Sequence, residues 1–392
     1  MTERTSWRLI ALLVIAGVIG SFQVGKAAIA LPLLRVDLEL TLLIASFVFS
    51  AYSVLGAAAG LPAGLVISRL DARKTIIGGL LILGIGSCLG AVAPNGPLLL
   101  ITRVIEGIGF IGVVIAAPTL IRIFTVPKDR GFAMTWWGVY MPAGTAIMMI
   151  GGPWLMRLAG WQSLWIVNGV SALIYAGVLL WALPVLAAEQ HGERQPIGKA
   201  ISSVLATPGP LMLGLAFSLY TFQYFAITGL LPVLLVERLG LSVAQAGALT
   251  ALTVVTNAAG NLVAGVGLRL GVPMWVIFAT AFGFLGVVSF GIFNETLPVA
   301  VIAALACATL SLTGLIPGTI FAAMPRLTRT AGETSIAFGL TTQASGIGQL
   351  IGPVVLAAIV EAFGWSVAPL LFVVIAACGI AIALMLRRIL EN

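Results

Sequence analysis

The chain has 392 residues, of which 60% are hydrophobic and only 8% are charged. Soluble domains carry about 25% charged residues, so this composition excludes a soluble globular protein. The net charge of +7 would suit a nucleic-acid partner, but retention of Lys and Arg in cytoplasmic loops explains it better in so apolar a chain. We therefore expect a polytopic membrane protein that has the lipid bilayer, and no nucleic acid, as its partner.

Twelve apolar runs follow one another, each long enough to cross a bilayer as a helix. The predicted spans, numbered 1 to 12, are 8–34, 41–67, 75–94, 97–124, 131–156, 162–186, 209–236, 244–268, 272–293, 297–324, 333–360 and 365–387. Their continuous hydrophobicity excludes a β-barrel, whose strands alternate polar and apolar residues. The sequence thus predicts an all-α membrane protein with an N-terminal six-helix half (1–186), a cytoplasmic linker (187–208) and a C-terminal six-helix half (209–392).

The basic residues predict the orientation of the chain. With the N-terminus inside, fifteen of the twenty Lys and Arg lie on the cytoplasmic side, and only Arg35, Arg157 and Arg238 lie outside. The remaining two, Lys26 and Arg103, fall within spans. This asymmetry follows the positive-inside rule and predicts that both termini are cytoplasmic. The short loops favour a bacterial plasma membrane.

An internal repeat divides the chain in the same way as the linker. A shift of 200 residues without a gap places Phe22 and Gln23 on Phe222 and Gln223, and Gly152-Pro153 on Gly352-Pro353. Parallel six-helix repeats are an arrangement of secondary transporters, in which the solute binds near the midplane between the halves. The repeat therefore predicts two six-helix pseudo-repeats and transport by alternating access.

The loop after span 2 carries a recognisable motif. It reads G-L-V-I-S-R-L-D-A-R-K from Gly64 to Lys74 and resembles the G-x-x-x-D-R-x-G-R-R signature of the major facilitator superfamily. Gly64, Arg69 and Arg73 fit the signature, whereas a serine replaces its Asp and Asp71 replaces its Gly. In that family the motif latches helices on the cytoplasmic side. The resemblance implies a latch made of Gly64, Arg69, Asp71 and Arg73, which is either weaker than in the family because the Asp is missing or uses Asp71 in its place.

Two further stretches are similar to motifs of the same family, and in the same order. Span 4 reads R-x-x-E-G-x-G from Arg103 to Gly109, similar to R-x-x-x-G-x-G. Span 5 contains Gly152-Pro153 and is followed by G-W-Q-S-L-W from Gly160, similar to G-P and G-W-R-x-x-F. The resemblance covers essentially the whole chain. It implies a monomeric transporter that carries a small-molecule solute and needs no cofactor. A looser similarity to the cyanate and nitroimidazole transporter branch would favour small, planar or anionic organic solutes.

Three charged residues lie deep inside the predicted spans, away from the span ends, where a charge costs at least about 2.5 kcal/mol. They are Lys26 in span 1, and Arg103 and Glu106 in span 4. At 1.5 Å per residue all three lie about 9 to 13 Å below the outer ends of their spans, so we expect Glu106 to pair with Lys26, Arg103 or both. Two alternatives stay open: a structural cluster of ion pairs, or a positively charged site that attracts an anionic substrate. Glu106 is the candidate proton carrier.

The predicted solute-binding set adds neutral polar residues to the two cations. In span 7 the positions Tyr220, Gln223 and Tyr224 share one face, and Asn257 lies on span 8. Each of these side chains could equally serve helix packing. The complete set is Gln23, Lys26, Arg103, Tyr140, Tyr220, Gln223, Tyr224, Asn257 and Gln343.

The absence of catalytic motifs disfavours an enzyme. The sequence contains no H-E-x-x-H or G-x-S-x-G motif and its single histidine lies in the linker, so we expect neither an enzyme nor a metal site. The leading prediction is a secondary transporter of a small organic anion. Whether transport is coupled to protons stays open at this point. The alternatives are a proton-driven multidrug efflux transporter and, from a different class, a channel or a membrane sensor that transports nothing.

Overall fold

A computed structural model describes residues 4–67, 70–185, 202, 207–294, 296–324 and 331–391 of the chain. The secondary structure of these residues is helical throughout. The first part of the chain contains α1 (Trp7–Asp37), α2 (Leu42–Ser50), α3 (Val54–Ile67), α4 (Ala72–Ala91), α5 (Gly96–Ile123), α6 (Arg130–Gly138), α7 (Tyr140–Ala159) and α8 (Gln162–Ala182). The second part contains α9 (Pro208–Val233), α10 (Val243–Arg269), α11 (Met274–Ile292), α12 (Val299–Thr313), α13 (Leu315–Ala323), α14 (Ala331–Phe363) and α15 (Ala368–Glu391).

Each of the twelve predicted spans coincides with one helix or with two consecutive helices. Among the described residues, ten helical segments are long and apolar enough to cross a membrane. Spans 5 and 8, which correspond to α6–α7 and to α10, are helical but fall outside those ten. In span 5 the helix is interrupted at Val139, which leaves segments of 9 and 20 residues. The prediction of an all-α, multi-pass membrane protein is confirmed.

Three spans contain a break that the sequence analysis did not predict. In span 2 the backbone of Ala59 leaves the helical region (φ −141°, ψ 21°), three residues before Pro62. Proline has no N–H to bond the carbonyl four residues earlier, which is that of Ala58, and its ring clashes with that carbonyl, so a kink here has a local cause. Spans 5 and 10 break at Val139 and Gly314, where one helix passes into the next.

The chain divides into two compact units. Unit 1 comprises Met1–Leu55, Pro62–Gln190 and Ser242–Ala251, and unit 2 comprises Gly56–Leu61, His191–Leu241 and Leu252–Asn392. Most of the predicted linker, 187–208, lies outside the described residues. The division of the chain at 186 and 208 stays a prediction.

The two units use the same pairs of helices for their internal packing. In unit 1, α1 packs along α7, and α4 packs against α5 and α8. In unit 2, α9 packs along α14, and α11 packs along α15. Span 1 thus packs with span 5, as span 7 packs with span 11. Likewise span 3 packs with span 6, as span 9 packs with span 12. These equivalent pairs are what a duplicated six-helix architecture requires.

Candidate functional site

The side chain of Lys26 is fully buried in unit 1 and its ammonium contacts three partners. The Nζ atom donates to Glu106 Oε1 at 2.9 Å and to Ser87 Oγ at 2.6 Å. It also lies 4.7 Å from the centre of the Trp165 ring, a distance at which a cation is attracted by the ring face. Two of the three N–H donors of the ammonium therefore have hydrogen-bond acceptors, and the ring is its third contact. Helix α1 is thereby joined to α4, α5 and α8.

Arg103 is equally buried and completes the charge cluster. Its NH1 donates to Glu106 Oε2, its Nε to the Val48 carbonyl at 3.0 Å and its NH2 to the Gln23 carbonyl at 3.0 Å. The Val48 carbonyl lies where α2 passes into the 3₁₀ turn Ala51–Ser53. In such a turn, backbone N–H groups bond the carbonyl three residues earlier instead of four. Arg103 therefore joins α5 to α1 and α2 through backbone groups.

The structure brings together all three charged residues predicted deep inside the membrane. Lys26, Arg103 and Glu106 each have an exposed fraction of 0%, and both predicted pairs with Glu106 form. Close approach of the backbones makes this possible: a Cβ on Gly107 would collide with the Tyr52 carbonyl oxygen. With Lys26 and Arg103 protonated and Glu106 ionised, the cluster has one positive charge more than it has negative charges.

Gln23 lies one turn from Lys26 on α1 and has no partner for its carboxamide. Its side chain is 0% exposed, and neither Nε2 nor Oε1 makes a hydrogen bond to the described residues. Leaving a buried polar group unbonded costs about 1–3 kcal/mol. A buried amide that is free at both ends is therefore a candidate to bond a solute or an ordered water molecule.

Sequence reasoning missed three residues that contact the charge cluster, namely Ser87, Tyr52 and Trp165. Ser87 accepts from Lys26 and donates to the Trp165 carbonyl at 2.7 Å. The Arg103 guanidinium lies 5.6 Å from the ring centre of Tyr52. The available signal was a serine inside the apolar run of span 3 and aromatic residues in spans 2 and 6. None of these identifies a partner unless the neighbouring helix is known.

Unit 2 contains a neutral hydrogen-bond chain. Tyr220 donates from its hydroxyl to Asn257 Oδ1 at 2.9 Å, and Asn257 donates from Nδ2 to the Leu310 carbonyl at 2.8 Å. The chain joins α9, α10 and α12. Helices α10 and α12 approach closely, because a Cβ on Gly260 would collide with the Ser311 carbonyl oxygen. Thus Asn257 and Tyr220, both predicted binding residues, contact each other.

Gln223 resembles Gln23 in its surroundings as well as in its repeat position. It is 0% exposed, and both carboxamide atoms lack a hydrogen-bond partner among the described residues. Tyr224 is also buried, with its ring centre 5.9 Å from that of Tyr220. The structure therefore groups Tyr220, Gln223 and Tyr224 on α9, in the interior of unit 2.

Gln343 occupies the kink in span 2. Its Oε1 accepts from the Leu61 N–H at 3.3 Å and its Nε2 donates to the Ala57 carbonyl at 3.3 Å. In an uninterrupted helix the Leu61 N–H would donate directly to the Ala57 carbonyl. The carboxamide thus replaces the backbone bond that the kink opens, and both of its ends are occupied. Solute binding by Gln343 would require these bonds to break.

Tyr140 stacks on Trp137, with ring centres 4.2 Å apart and an interplanar angle of 21°. The pair lies across the break between α6 and α7 and packs against Gly17 of α1. Tyr140 is half-buried. The structure therefore places Tyr140 beside α1 of unit 1, but it gives Tyr140 no contact with the charge cluster.

The predicted latch residues have local roles in unit 1. Asp71 caps α4, because its Oδ1 accepts from the N–H groups of Arg73 at 2.8 Å and Lys74 at 3.2 Å. Arg73 donates from Nε to the Leu183 carbonyl at 3.0 Å and from NH2 to the Leu180 carbonyl at 2.6 Å. These carbonyls belong to the end of α8, where the helix supplies no partners. Gly64 lies in α3, and Arg69 lies outside the described residues.

Other parts of the described chain contribute no competing site chemistry. Within the described ranges, no group of three His, Cys, Asp or Glu could hold a metal ion. A cleft of about 370 Å³ lies at the ends of α1 and α8, and it is lined by Ser6, Arg8, Leu9, Trp181, Ala182 and Pro184. None of these residues belongs to the charge cluster or to the neutral chain of unit 2.

Comparison with known proteins gives the family and the fold. The family model described as Major Facilitator Superfamily matches residues 13–347. A bacterial homologue of the human lysosomal transporter Spinster, solved in an inward-facing and occupied conformation, has a similar fold, with a TM-score of 0.81 and 14% sequence identity. The match covers 99% of this chain and 98% of that one.

Curated relatives are similar over part of their length. The 3-(3-hydroxy-phenyl)propionate transporter of Escherichia coli is 30% identical over 225 residues, which are 56% of this chain and 54% of that protein. The Multidrug resistance protein B homolog of Mycobacterium tuberculosis is 30% identical over 169 residues, which are 42% of this chain and 31% of that protein. The chain therefore spans between about a third and about half of these relatives.

Proposed function

Because the chain belongs to the major facilitator superfamily, and is therefore a multi-pass membrane transporter and not an enzyme, we propose that it carries a small organic anion by alternating access. The transport is coupled to protons, and the protein works as a monomer in a bacterial plasma membrane with both termini in the cytoplasm. The looser similarity to the cyanate and nitroimidazole branch is compatible with this solute class and stays a prediction.

One observation carries this proposal: two buried cations share a single carboxylate in unit 1. Lys26, Arg103 and Glu106 are each 0% exposed. Removing a charge from water costs several kcal/mol per ion, so a purely structural cluster would be expected to balance its charges. With Lys26 and Arg103 protonated and Glu106 ionised, this cluster has a surplus of one positive charge. This surplus attracts an organic anion, and the free carboxamide of Gln23 one turn away offers it a hydrogen-bond donor.

Proton coupling follows from the position of Glu106 between the two cations. Its oxygens accept from both Lys26 and Arg103, so a solute carboxylate would compete with it for the same donors. Protonation of Glu106 removes its negative charge and weakens both bonds. Lys26 and Arg103 then present two positive charges to the solute. Proton binding and anion binding favour each other in this scheme, which makes the transporter a symporter.

The main alternative is proton-driven efflux of drugs, and it is supported by a relative named as a multidrug resistance protein. Cationic drugs would have to approach Glu106 against the charges of Lys26 and Arg103, which disfavours them electrostatically. The relative named as a 3-(3-hydroxy-phenyl)propionate transporter supports the anion. A channel or a sensor would not exchange labelled for unlabelled solute.

The test is counterflow in proteoliposomes. A panel of small carboxylates that includes 3-phenylpropionate is first screened for thermal stabilisation of the purified protein, and labelled forms of the stabilising compounds are then used for counterflow. We expect exchange by the wild type, none by Lys26→Met, and wild-type exchange by the control Lys128→Met, which removes an exposed cation outside the cluster. Exchange by Lys26→Met at the wild-type rate, or stabilisation by cationic drugs alone, would reject the anion proposal.

A further inference from the structure

The cleft of about 370 Å³ in unit 1 opens between the start of α1 and the end of α8. Deeper in this helix pair, the Tyr175 hydroxyl donates to the Leu12 carbonyl at 3.0 Å and joins the two helices. Beyond that bond α8 ends at Ala182, and Leu183 is extended (φ −81°, ψ 128°), as residues before a proline usually are. The cleft therefore lies at the end of two membrane spans, at the depth of the lipid headgroups.

The walls of the cleft combine a cation, a hydroxyl and apolar surface. Arg8 is exposed and, among the described residues, makes neither an ion pair nor a side-chain hydrogen bond. Ser6 occupies the N-cap position of α1, yet its side chain makes no capping bond. Trp181 is 84% exposed and Leu9 is half-buried. A guanidinium is well suited to phosphate oxygens, and Trp is enriched where a membrane protein meets the headgroups.

The ends of several helices lie together around this cleft. The Ser6 N–H donates to the Phe124 carbonyl at 3.0 Å, which joins the start of α1 to the end of α5. Arg73 of α4 donates to the Leu180 and Leu183 carbonyls at 2.6 and 3.0 Å. Because Leu180 and Leu183 are neighbours of Trp181 and Ala182 in the chain, the charge of Arg73 lies close to the wall that α8 contributes.

The charges at this end of unit 1 are mostly positive. Its charged residues in the described part of the chain are seven basic and two acidic ones, namely Arg4, Arg8, Arg73, Lys74, Arg122, Lys128, Arg130, Asp71 and Asp129. Neither acidic residue lines the cleft. The opposite end has two basic and two acidic described residues, namely Arg35, Arg157, Asp37 and Glu39. Only the end that contains the cleft is thus complementary to anionic lipids, which attract basic segments at a membrane surface.

We propose that this cleft binds the headgroup of an anionic phospholipid. Arg8 and Ser6 donate to the phosphate, and the exposed face of Trp181 packs with Leu9 against the glycerol backbone of the lipid. A free phosphate ester shares the phosphate, but only a lipid also covers the apolar wall. The lipid stays bound at the end of the spans and is not the transported solute, so the site goes beyond the proposed function.

Native mass spectrometry of the purified full-length protein tests this site. The protein is titrated with a phosphatidylglycerol and with a phosphatidylcholine that have identical acyl chains, and the Kd of the first bound lipid is measured. We expect the anionic lipid to bind about tenfold more tightly than the zwitterionic one. Inorganic phosphate and glycerol 1-phosphate, added at millimolar concentration, should displace none of the bound phosphatidylglycerol.

Arg8→Gln is the decisive variant, and it should reduce the preference for phosphatidylglycerol to about twofold or less. The matched control is Arg388→Gln, because Arg388 is also an exposed arginine at the end of a span, in the last turn of α15, but does not line the cleft. The control should keep the tenfold preference. Trp181→Leu should weaken both lipids to the same extent, since the indole packs against the part that the two lipids share.

Four results would overturn the lipid site. They are equal affinity for the two lipids, an unchanged preference in Arg8→Gln, an equal loss in Arg388→Gln, and displacement of the lipid by glycerol 1-phosphate. Because Arg8 is exposed, Arg8→Gln should keep the apparent Tm of the lipid-free protein, and a lowered Tm would instead assign Arg8 a packing role and also reject the site.

The lipid titrations separate this proposal from the proposed transport function, because they contain no solute. A preference for phosphatidylglycerol that depends on Arg8, in a protein that exchanges no carboxylate in counterflow, would support the lipid site and reject anion transport. Counterflow of a carboxylate by a protein without lipid preference would do the reverse.

Discussion

Lys26 and Glu106 form a fully buried ion pair across 80 positions of sequence, with Nζ and Oε1 2.9 Å apart. The second oxygen of Glu106 contacts Arg103, so one carboxylate serves two cations. This relationship fixes how α1 and α5 are joined in unit 1. It also means that removing the carboxylate and removing one cation have different electrostatic consequences.

The first prediction concerns the order of stability of two neutralising variants. Lys26→Met leaves one cation and one carboxylate, which still balance, whereas Glu106→Gln leaves two cations buried without a counter-charge. Breaking a buried pair costs about 3–5 kcal/mol when a charge is left uncompensated. We therefore expect Glu106→Gln to lower the apparent Tm of the purified protein more than Lys26→Met does. Equal loss in the two variants would show that the surplus charge has no energetic effect.

The second prediction concerns the neutral chain of unit 2. Tyr220→Phe removes the hydroxyl that donates to Asn257, and Asn257→Leu removes the acceptor. Single hydrogen bonds between membrane helices contribute about 0.6 kcal/mol on average and up to about 1.7 kcal/mol. A double-mutant cycle on unfolding free energy should yield a coupling within this range. Thr256→Val, another polar change on α10, is the control and should show no coupling to Tyr220→Phe.

The third prediction concerns the carboxamide in the kink of span 2. Gln343→Leu leaves the partly buried Leu61 N–H and Ala57 carbonyl without their partner, where a fully buried group would cost about 1–3 kcal/mol. We expect faster hydrogen exchange in the peptide that contains Leu61. The control is Gln349→Leu, because Gln349 donates to Ser345 within its own helix. An exchange rate that is the same in Gln343→Leu and in the wild type would contradict the bridging role.

The fourth prediction concerns the start of α4 and the end of α8. Asp71→Ala removes the cap of α4 and should cost about 0.5–2 kcal/mol, while Asp71→Asn retains an acceptor and should cost less. Arg73→Gln removes the donors to the Leu180 and Leu183 carbonyls. Thermal unfolding of the purified variants measures both effects. A mutation of Lys74, whose side chain is exposed, should leave the apparent Tm unchanged, and an equal loss there would refute the capping roles.

Sequence reasoning located the helices and the charge cluster because both depend on quantities that the sequence contains. Apolar run lengths define spans, and a fixed rise per residue gives Lys26, Arg103 and Glu106 a common depth. An intramembrane charge is also costly enough to require a partner. With one carboxylate available among the three residues, pairing with Glu106 could be predicted without any knowledge of side-chain conformation.

Neutral contacts between helices could not be predicted in the same way. Helices that are apolar all round give no periodic signal of which face is turned to which neighbour, so the pairing of Tyr220 with Asn257 was not foreseen. The position of Gln343 depends in addition on the kink at Ala59. Pro62 was a visible signal for that kink, but no feature of the sequence identifies the side chain that fills it.

We propose that Lys26, Arg103 and Glu106 bind an anion and a proton together. Among the described residues, Lys26 and Arg103 form ion pairs with Glu106, so we expect protonation of Glu106 to free both for the anion. The most direct test is calorimetric titration with 3-phenylpropionate at constant pH in buffers of different ionisation enthalpy, which counts the protons taken up. The account predicts uptake of about one proton per anion by the wild type and none by Glu106→Gln. Binding without proton uptake by the wild type, or equal uptake by Glu106→Gln, would contradict it.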